Sequence, residues 1–328
     1  MDFRTEIKIE SFDTLIYPGS KINMIGSCFA NHIGNRMEHS GLDVHVNPFG
    51  VLYNPESIAT ACRMMTGNFT FESDGFVESE GLWNSWFNDS SFAAPDVVTC
   101  KRNLEQACCS ETERLKHLDF LFITLGTNRC YALKEKGFIV GNCHKQPAQM
   151  FEEKKLTVSQ MVVSLQQAMD DLWCHAPSLR VVFTVSPYRY AKYGFHESQL
   201  SKAALLLAVD EICSRNEGRC VYFPAYEIVM DELRDYRFYA DDMLHPSEMA
   251  VNYIWERFTE KCFAKETLNY MKEWERIEKS FTHRPLHPAS EAYELFMKST
   301  RMKLRELVDR YPAILNTPAY AKLKDYKI

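Results

Sequence analysis

Residues 22–30 read Ile-Asn-Met-Ile-Gly-Ser-Cys-Phe-Ala, and the rest of the chain is arranged around this stretch. An apolar run ends at Gly26, Ser27 and Cys28 follow at once, and a helix-like pattern then begins. A strand, a tight turn and a helix in that order place the turn at the carboxyl edge of a sheet and at the positive end of a helix dipole. The Cys28 thiol is therefore expected to face whatever lies above the sheet, and the helix dipole is expected to stabilise its thiolate.

Length, charge and cysteine usage narrow the class of protein. The 328 residues are 46% hydrophobic, which is ample for a buried core, and their formal charge is -6. Without a basic stripe, no nucleic-acid partner is expected. No apolar run approaches the ~18 residues of a membrane span, and no signal-peptide core is present. Eleven cysteines with no Cys-x-x-Cys pair indicate free thiols in a reducing, cytoplasmic setting.

Strand-like and helix-like patterns alternate along the chain. Buried strands are predicted at 21–25, 43–46, 119–125, 180–185 and 220–223, with helical patterns between them. This alternation predicts an α/β fold with a five-stranded parallel sheet and helices on both faces. Sites in such folds lie at the carboxyl ends of the strands.

Other segments predict less regular or additional structure. Residues 68–100 are rich in aromatic side chains without a sustained period and are expected to form a long loop or structure that the pattern does not reveal. Residues 131–133 and 138–140 predict a hairpin. Charged helices at 266–279 and 290–310 predict a C-terminal helical appendage over 264–328, beside a domain at 1–263. This appendage would pack on the sheet domain or join copies of the chain into a homo-oligomer.

Five residues, at predicted strand ends or in the last loop, could carry nucleophilic chemistry. Such catalysis needs a nucleophile, a base, a group that orients the base and donors for the oxyanion. Cys28 is the candidate nucleophile, His245 the candidate base, and Asp242 lies three residues before it. The side-chain amide of Asn128 and the backbone N–H groups of Gly50 and Cys28 are candidate oxyanion donors.

Each of these candidates also has an ordinary structural interpretation. A cysteine among eleven is usually a small core residue, and Asp-x-x-His before a proline can be a plain helix start. Asn128 and Gly50 could simply be turn residues. Taken together, their positions at strand ends favour a site. No dinucleotide, phosphate-loop or zinc motif is present, so neither a cofactor nor a metal is expected.

Several segments together resemble the GSCFA-domain family. Gly26-Ser27-Cys28-Phe29-Ala30 spells the motif that names that family. Further segments similar to it are 47–55, 124–128, 142–145, 184–187, 222–228, 231–240 and 245–247. The resemblance extends over roughly residues 20–262 and leaves the C-terminal residues outside.

That family is similar to the SGNH (GDSL-type) hydrolases, which implies a three-layer α/β/α fold and acyl-transfer chemistry. The resemblance places Cys28 where those enzymes have their nucleophilic serine, with Ser27 as an alternative nucleophile. It places Gly50 and Asn128 at the oxyanion positions, and Asp242 and His245 in the last motif.

The sequence therefore predicts an ester hydrolase or acyltransferase that acts through Cys28 on a small-molecule or carbohydrate-like ester. Asn47 and His144 are further candidates for substrate contacts. The alternative is a non-catalytic binding module that kept the cleft and lost the chemistry. Reactivity of Cys28 toward an alkylating agent would separate the two.

Overall fold

The centre of the structure is a parallel β-sheet. The computed structural model describes residues 4–10, 12, 14–287 and 289–323. The strands, in chain order, are β1 Lys21–Gly26, β2 Asp43–Val46, β3 Phe76–Ser79, β4 Leu82–Ser85, β5 Phe120–Leu125, β6 Arg129–Leu133, β7 Ile139–Val140, β8 Phe151–Lys155, β9 Arg180–Val185 and β10 Cys220–Tyr222. Five of them form one parallel sheet in the order β10-β9-β5-β1-β2. This confirms the five-stranded parallel sheet predicted from the alternating pattern.

Helices cover both faces of that sheet. In chain order they are α1 Cys28–His39, α2 Pro55–Met65, α3 Val97–Leu115, α4 Val158–His175, α5 Phe195–Arg215, α6 Ala225–Glu227, α7 Glu248–Cys262, α8 Lys265–Thr282, α9 Glu291–Arg310 and α10 Pro318–Leu323. One apolar cluster joins α2, α3, α4 and α5 to one face, and a second joins α1, α7, α8 and α9 to the other. Among the residues described, none of these helices has the length and apolar character needed to cross a bilayer.

The central strand β5 shows why the fold has three layers. Successive side chains of a strand point to opposite faces of the sheet. Phe120 and Phe122 pack in the cluster with α1 and α7, whereas Leu121, Ile123 and Leu125 pack in the cluster with α2 to α5. A strand buried on both faces needs an unbroken apolar run. The predicted α/β/α architecture is confirmed.

Residues 68–100 contain structure that the sequence pattern did not reveal. Strands β3 and β4 form an antiparallel hairpin, with Glu80 and Gly81 both at positive φ in its two-residue turn. Helix α3 begins at Val97, within this segment. Its N-cap is Asp96, whose side chain accepts a hydrogen bond from the Thr99 N–H at 2.8 Å.

The predicted hairpin at 131–140 is present but belongs to a larger unit. Strand β6 pairs with β7 on one side and with β8 on the other, both antiparallel. Strand β8 is not evident from the sequence, because four of its five residues are charged and exposed. The resulting three-stranded sheet lies between β5 and α4 in the chain and is separate from the central sheet.

The C-terminal helices share a core with the sheet domain. Trp274 and Tyr270 of α8 are fully buried. The Trp274 indole N–H donates to the His39 carbonyl at 3.0 Å, and the Tyr270 hydroxyl donates to the Gly41 carbonyl at 2.5 Å. The helical region predicted after residue 263 is therefore present and packs at the end of α1. Its role as a separate unit or in association stays a prediction.

Candidate active site

The turn between β1 and α1 places Cys28 at the start of a helix. Gly26 has a φ of +144°, and a Cβ there would lie 2.2 Å from the Thr124 carbonyl oxygen on β5. Only glycine therefore lets β1 end beside β5 before the chain turns. Ser27 is the N-cap of α1, and Cys28 is its first residue. The thiol thus lies at the positive end of the helix dipole, as the sequence predicted.

Ser27 and Cys28 have different surroundings. Ser27 is 4% exposed, and its hydroxyl oxygen accepts the Phe29 N–H as the helix cap. Cys28 is partly exposed, and its Sγ lies 3.5 Å from the hydroxyl of Tyr53. Because the Ser27 oxygen serves the helix while the Cys28 sulfur faces a cavity, the arrangement favours Cys28 over Ser27 as the nucleophile.

His245 is held by Asp242 within one loop. The His245 Nδ1 lies 2.5 Å from Asp242 Oδ2, and Asp242 Oδ1 accepts the backbone N–H groups of Leu244 and His245 at 2.9 Å each. Hydrogen bonds from the backbone and ring of His245, and from the Leu244 N–H, lower the pKa of Asp242 to about 2. A carboxylate that stays ionised orients the imidazole with its second nitrogen directed away.

Cys28 and His245 line the same cavity, whose volume is about 420 Å³. The His245 ring packs on Tyr188, with the two ring centroids 4.3 Å apart. Burial, reinforced by the charges of Asp242 and Cys28, raises the pKa of Tyr188. Among the residues described, no hydrogen bond joins the Cys28 sulfur to the His245 ring, and the sulfur has Tyr53 as its polar partner.

Gly50 and Asn128, two of the predicted oxyanion donors, do not line this cavity. The Gly50 N–H donates to the Asn47 carbonyl at 2.8 Å, and a Cβ at Gly50 would lie 2.3 Å from the Asp89 carboxyl carbon. The Asn128 amide donates to the Leu156 carbonyl at 2.9 Å, and its side chain is buried. Neither residue lines the cavity wall. Both residues make hydrogen bonds within their own local structure, and their role as oxyanion donors stays a prediction.

The two predicted substrate contacts are structural as well. The Asn47 side chain accepts the Gly26 N–H at 2.8 Å and donates to Asn31 at 2.6 Å, so it fastens the end of β1. His144 is buried, with one ring nitrogen 2.8 Å from the Ser85 carbonyl, and burial lowers its pKa. Neither Asn47 nor His144 lines the cavity, and a role for either in substrate contacts stays a prediction.

Other residues line the cavity that the sequence analysis did not select. Tyr53, Tyr131, Tyr188 and Tyr190 supply aromatic rings and hydroxyl groups. His32 lies one helical turn after Cys28 and also lines the cavity. The i, i+4 spacing on a predicted helix was a usable signal for His32. The tyrosines carried no such signal, because they come from separate loops and strands.

One wall of the cavity is stiffened by an ion-pair network. Arg129 on β6 pairs with Glu153 at 2.5 Å and with Glu197 at 2.6 Å. Its guanidinium stacks on the ring of Tyr193, 4.0 Å from the centroid. Hydrogen bonds from Tyr193 and Arg129 outweigh burial and lower the pKa of Glu153. The network holds β6 against the start of α5, so the cavity keeps its shape on this side.

A buried lysine ties together two strand ends beneath the cavity. Lys202 on α5 is 1% exposed, and its Nζ donates to the carbonyls of Gly126 and Ser186 at 2.7 Å each. These two residues follow β5 and β9 and line the cavity. Burial lowers the pKa of Lys202 to about 7. Within residues 4–323, leaving aside 11, 13 and 288, no three His, Cys, Asp or Glu side chains are grouped to hold a metal ion.

Comparison with known proteins gives a family and two weak structural likenesses. The model described as GSCFA family matches residues 21–258, and the one described as GSCFA domain protein, C-terminal domain, matches residues 274–319. No curated protein matches the chain.

Among solved structures, a family two carbohydrate esterase from Clostridium thermocellum in complex with cellohexaose is 14% identical, with a TM-score of 0.37 over 80% of this chain and 67% of that one. An acetyl xylan esterase (Est2A) from the rumen bacterium Butyrivibrio proteoclasticus is 10% identical, with a TM-score of 0.36 and the same coverage. At these scores neither structure bears on the activity of this chain.

Proposed function

The chain belongs to the GSCFA family, and we propose that it is an acyl-transfer enzyme in which Cys28 is the nucleophile. The observation that supports this is the shared cavity: the Cys28 thiol lies at a helix start, and His245, oriented by Asp242, lines the same space. These are the nucleophile, base and orienting group that covalent acyl transfer needs.

In the first step of the proposed reaction, His245 takes the proton from the Cys28 sulfur through its Nε2, since Nδ1 is bonded to Asp242. The sulfur attacks the ester carbonyl carbon, and the carbonyl electron pair moves onto oxygen. His245 then gives its proton to the leaving alkoxide as the C–O bond breaks, which leaves a thioester on Cys28. Water or an acceptor hydroxyl, deprotonated by His245, attacks that thioester and releases Cys28.

Since Gly50 and Asn128 do not line the cavity, donors nearer to Cys28 are proposed for the oxyanion. The Cys28 backbone N–H stands at the first position of α1, where an N–H has no acceptor within its own helix. The Tyr53 hydroxyl, 3.5 Å from the Cys28 sulfur, is a second donor beside the reacting atom. Burial and the hydrogen bond to Cys28 raise the pKa of Tyr53, so the hydroxyl keeps its hydrogen at neutral pH. We assign both to the oxyanion.

The cavity wall favours a small sugar-like ester as substrate. The rings of Tyr188 and Tyr190 are 6.1 Å apart and line the cavity with the hydroxyl-bearing Tyr131. The C–H face of a sugar ring carries partial positive charge and is attracted to the negative face of an aromatic ring. The Asn142 side chain on the same wall can bond to hydroxyl groups. A volume of about 420 Å³ accommodates one or two such rings.

The alternative is a binding module without catalysis, and one observation favours it. The Cys28 sulfur contacts Tyr53, and within the described part of the chain no hydrogen bond links it to His245. If His245 never approaches the sulfur, the cavity would hold a ligand without activating the thiol.

The deciding experiment compares alkylation rates of single cysteines by mass spectrometry across pH. Cys174 is exposed on α4 and is an internal reference in the same molecule. We expect Cys28 to react faster than Cys174 near neutral pH, and His245→Ala to reduce this difference. His117→Ala, an exposed histidine that follows α3, is the matched control and should change nothing.

Turnover is then measured with a panel of acetylated sugars, aryl esters and thioesters. Cys28→Ala should lower turnover on the order of 10³-fold or more without loss of thermal stability. If Cys28→Ala kept full activity and Ser27→Ala lost it, Ser27 would be the nucleophile instead of Cys28. Superimposable alkylation profiles for wild type and His245→Ala would contradict the proposed triad and favour the binding module.

A further inference from the structure

A second cavity, of about 240 Å³, lies behind the segment that carries Tyr188 and Tyr190. It has no lining residue in common with the first cavity. Its wall includes Arg189, Phe195, Arg234, Tyr236 and Tyr239. Tyr188 and Tyr190 line the first cavity, and Arg189 between them lines the second. This short segment therefore separates two distinct spaces.

Arg189 is a cation without a carboxylate partner in the part of the chain that the structure describes. Its Nη1 donates to the Met243 carbonyl at 3.0 Å. Its guanidinium carbon lies 4.2 Å from the ring centroid of Phe195, 5.3 Å from that of Tyr239 and 5.7 Å from that of Tyr236. A guanidinium has five N–H donors, and one carbonyl leaves most of them available to a ligand.

The rest of the cavity adds positive charge and exposed apolar surface. Arg234 reaches Asp231 only at 3.8 Å, and both side chains are largely exposed, so this pair contributes little. The one carboxylate on the wall, Asp235, is already bonded to Arg237 at 2.9 Å. Phe195 and Tyr236 are 50% and 64% exposed. Large rings left open beside an unpaired cation indicate a binding surface.

Arg189 also touches the loop that carries His245. Its backbone N–H donates to the Leu244 carbonyl at 3.0 Å, in addition to the side-chain bond to Met243. Met243 lies in the left-handed region, with φ of 59°. A ligand that binds the Arg189 guanidinium would therefore change the hydrogen bonds from Arg189 to the backbone of residues 243 and 244, next to the His245 imidazole.

We propose that the second cavity binds a small anion with a flat apolar body. A carboxylate or phosphate would pair with the guanidinium of Arg189 and with Arg234, and the body would lie against Phe195 and Tyr236. Occupancy would be transmitted to His245 through the backbone contacts of Arg189. The binding itself does not depend on the acyl-transfer chemistry proposed for Cys28.

The test is calorimetric titration of the full chain with benzoate and, separately, with inorganic phosphate. Benzoate carries both the anion and the flat body, so we expect it to bind more tightly than phosphate. Arg189→Gln should weaken benzoate binding about 10-fold or more, as expected for loss of a charge-assisted pair. The ring signals of His245 in an NMR spectrum should shift as benzoate saturates the wild type.

The control is Arg215→Gln, an exposed arginine at the end of α5 paired with Glu211, which should bind benzoate as the wild type does. If Arg189→Gln does not fold, Arg234→Gln takes its place as the test variant. The Arg234 side chain pairs with Asp231 and not with the His245 loop, and its loss should also weaken benzoate binding. Binding of neither probe, or equal affinity in the cavity variants and Arg215→Gln, would overturn the proposal. Phosphate binding as tightly as benzoate would refute the role given to the flat body.

Discussion

Replacing Lys202 by methionine tests how the strand ends beneath the cavity are held. The Lys202 Nζ donates to the carbonyls of Gly126 and Ser186 from a site that is 1% exposed. A neutral amine has two N–H groups, which is enough for both carbonyls, so the hydrogen bonds do not require the charge. Burial lowers the pKa of Lys202 to about 7, from an ordinary value of 10.5.

The sign of the resulting pH dependence follows from proton binding. Between about pH 7 and pH 10, the unfolded chain binds a proton at Lys202 that the folded chain does not bind. The stability contributed by Lys202 therefore rises with pH in that window. One pH unit corresponds to about 1.4 kcal/mol, so the contribution grows by roughly 4 kcal/mol across it.

The assay is urea unfolding of wild type, Lys202→Met and the surface control Lys116→Met across this pH range. The quantity to compare is the difference in unfolding free energy between wild type and variant, since buried cysteines and tyrosines affect all three proteins alike. We expect the unfolding free energy of the wild type minus that of Lys202→Met to increase with pH. The same difference for Lys116→Met should stay constant. Parallel curves for wild type and Lys202→Met would mean that Lys202 stays charged when folded, and would refute the reasoning.

Three further substitutions separate catalytic roles from structural ones. Asp242→Asn should lower the alkylation rate of Cys28 at neutral pH by about 10-fold or more without changing the melting temperature, because the carboxylate orients His245; an unchanged rate would mean that His245 acts without it. Asn128→Ala should cost about 1–2 kcal/mol of stability, because the bond to the Leu156 carbonyl is lost, and should leave turnover unchanged; the reverse outcome in turnover and melting assays would restore an oxyanion role. Trp274→Ala should cost about 3–5 kcal/mol in a denaturation experiment, since the ring is fully buried; a loss below about 1 kcal/mol would contradict a shared core.

The fold was predictable because the strongest sequence signals belong to buried parallel strands. A run such as 120–125 is apolar throughout, and that pattern has few other interpretations in a chain that alternates strands with helices. Strand β8 carries the sequence Phe-Glu-Glu-Lys-Lys and is a strand only because β6 pairs with it. Pairing across a loop leaves no period in the sequence, so this strand could not be found there.

The site was predictable where one loop or turn contains the whole arrangement. Asp242 and His245 are three residues apart, and the turn at Gly26 places Cys28 at its helix start without help from distant segments. The use made of Gly50 and Asn128 could not be predicted, because a hydrogen-bond donor near a strand end can equally serve its own turn. The structure shows which partner each donor has: the Asn47 carbonyl accepts from the Gly50 N–H, and the Leu156 carbonyl accepts from the Asn128 amide.

The wall of the cavity opposite Cys28 has a separate origin in the chain. Arg129, Tyr131 and residues 140–143 come from the small sheet inserted between β5 and α4, which has its own apolar cluster around Trp86 and Phe151. Cys28 comes from the start of α1, and His245 comes from the loop before α7. Substitutions within the insertion can therefore alter which molecules fit while the thiol and imidazole keep their places. For the acyl transfer proposed above, exchanging this insertion between family members is expected to change the substrate preference while the reacting groups stay the same.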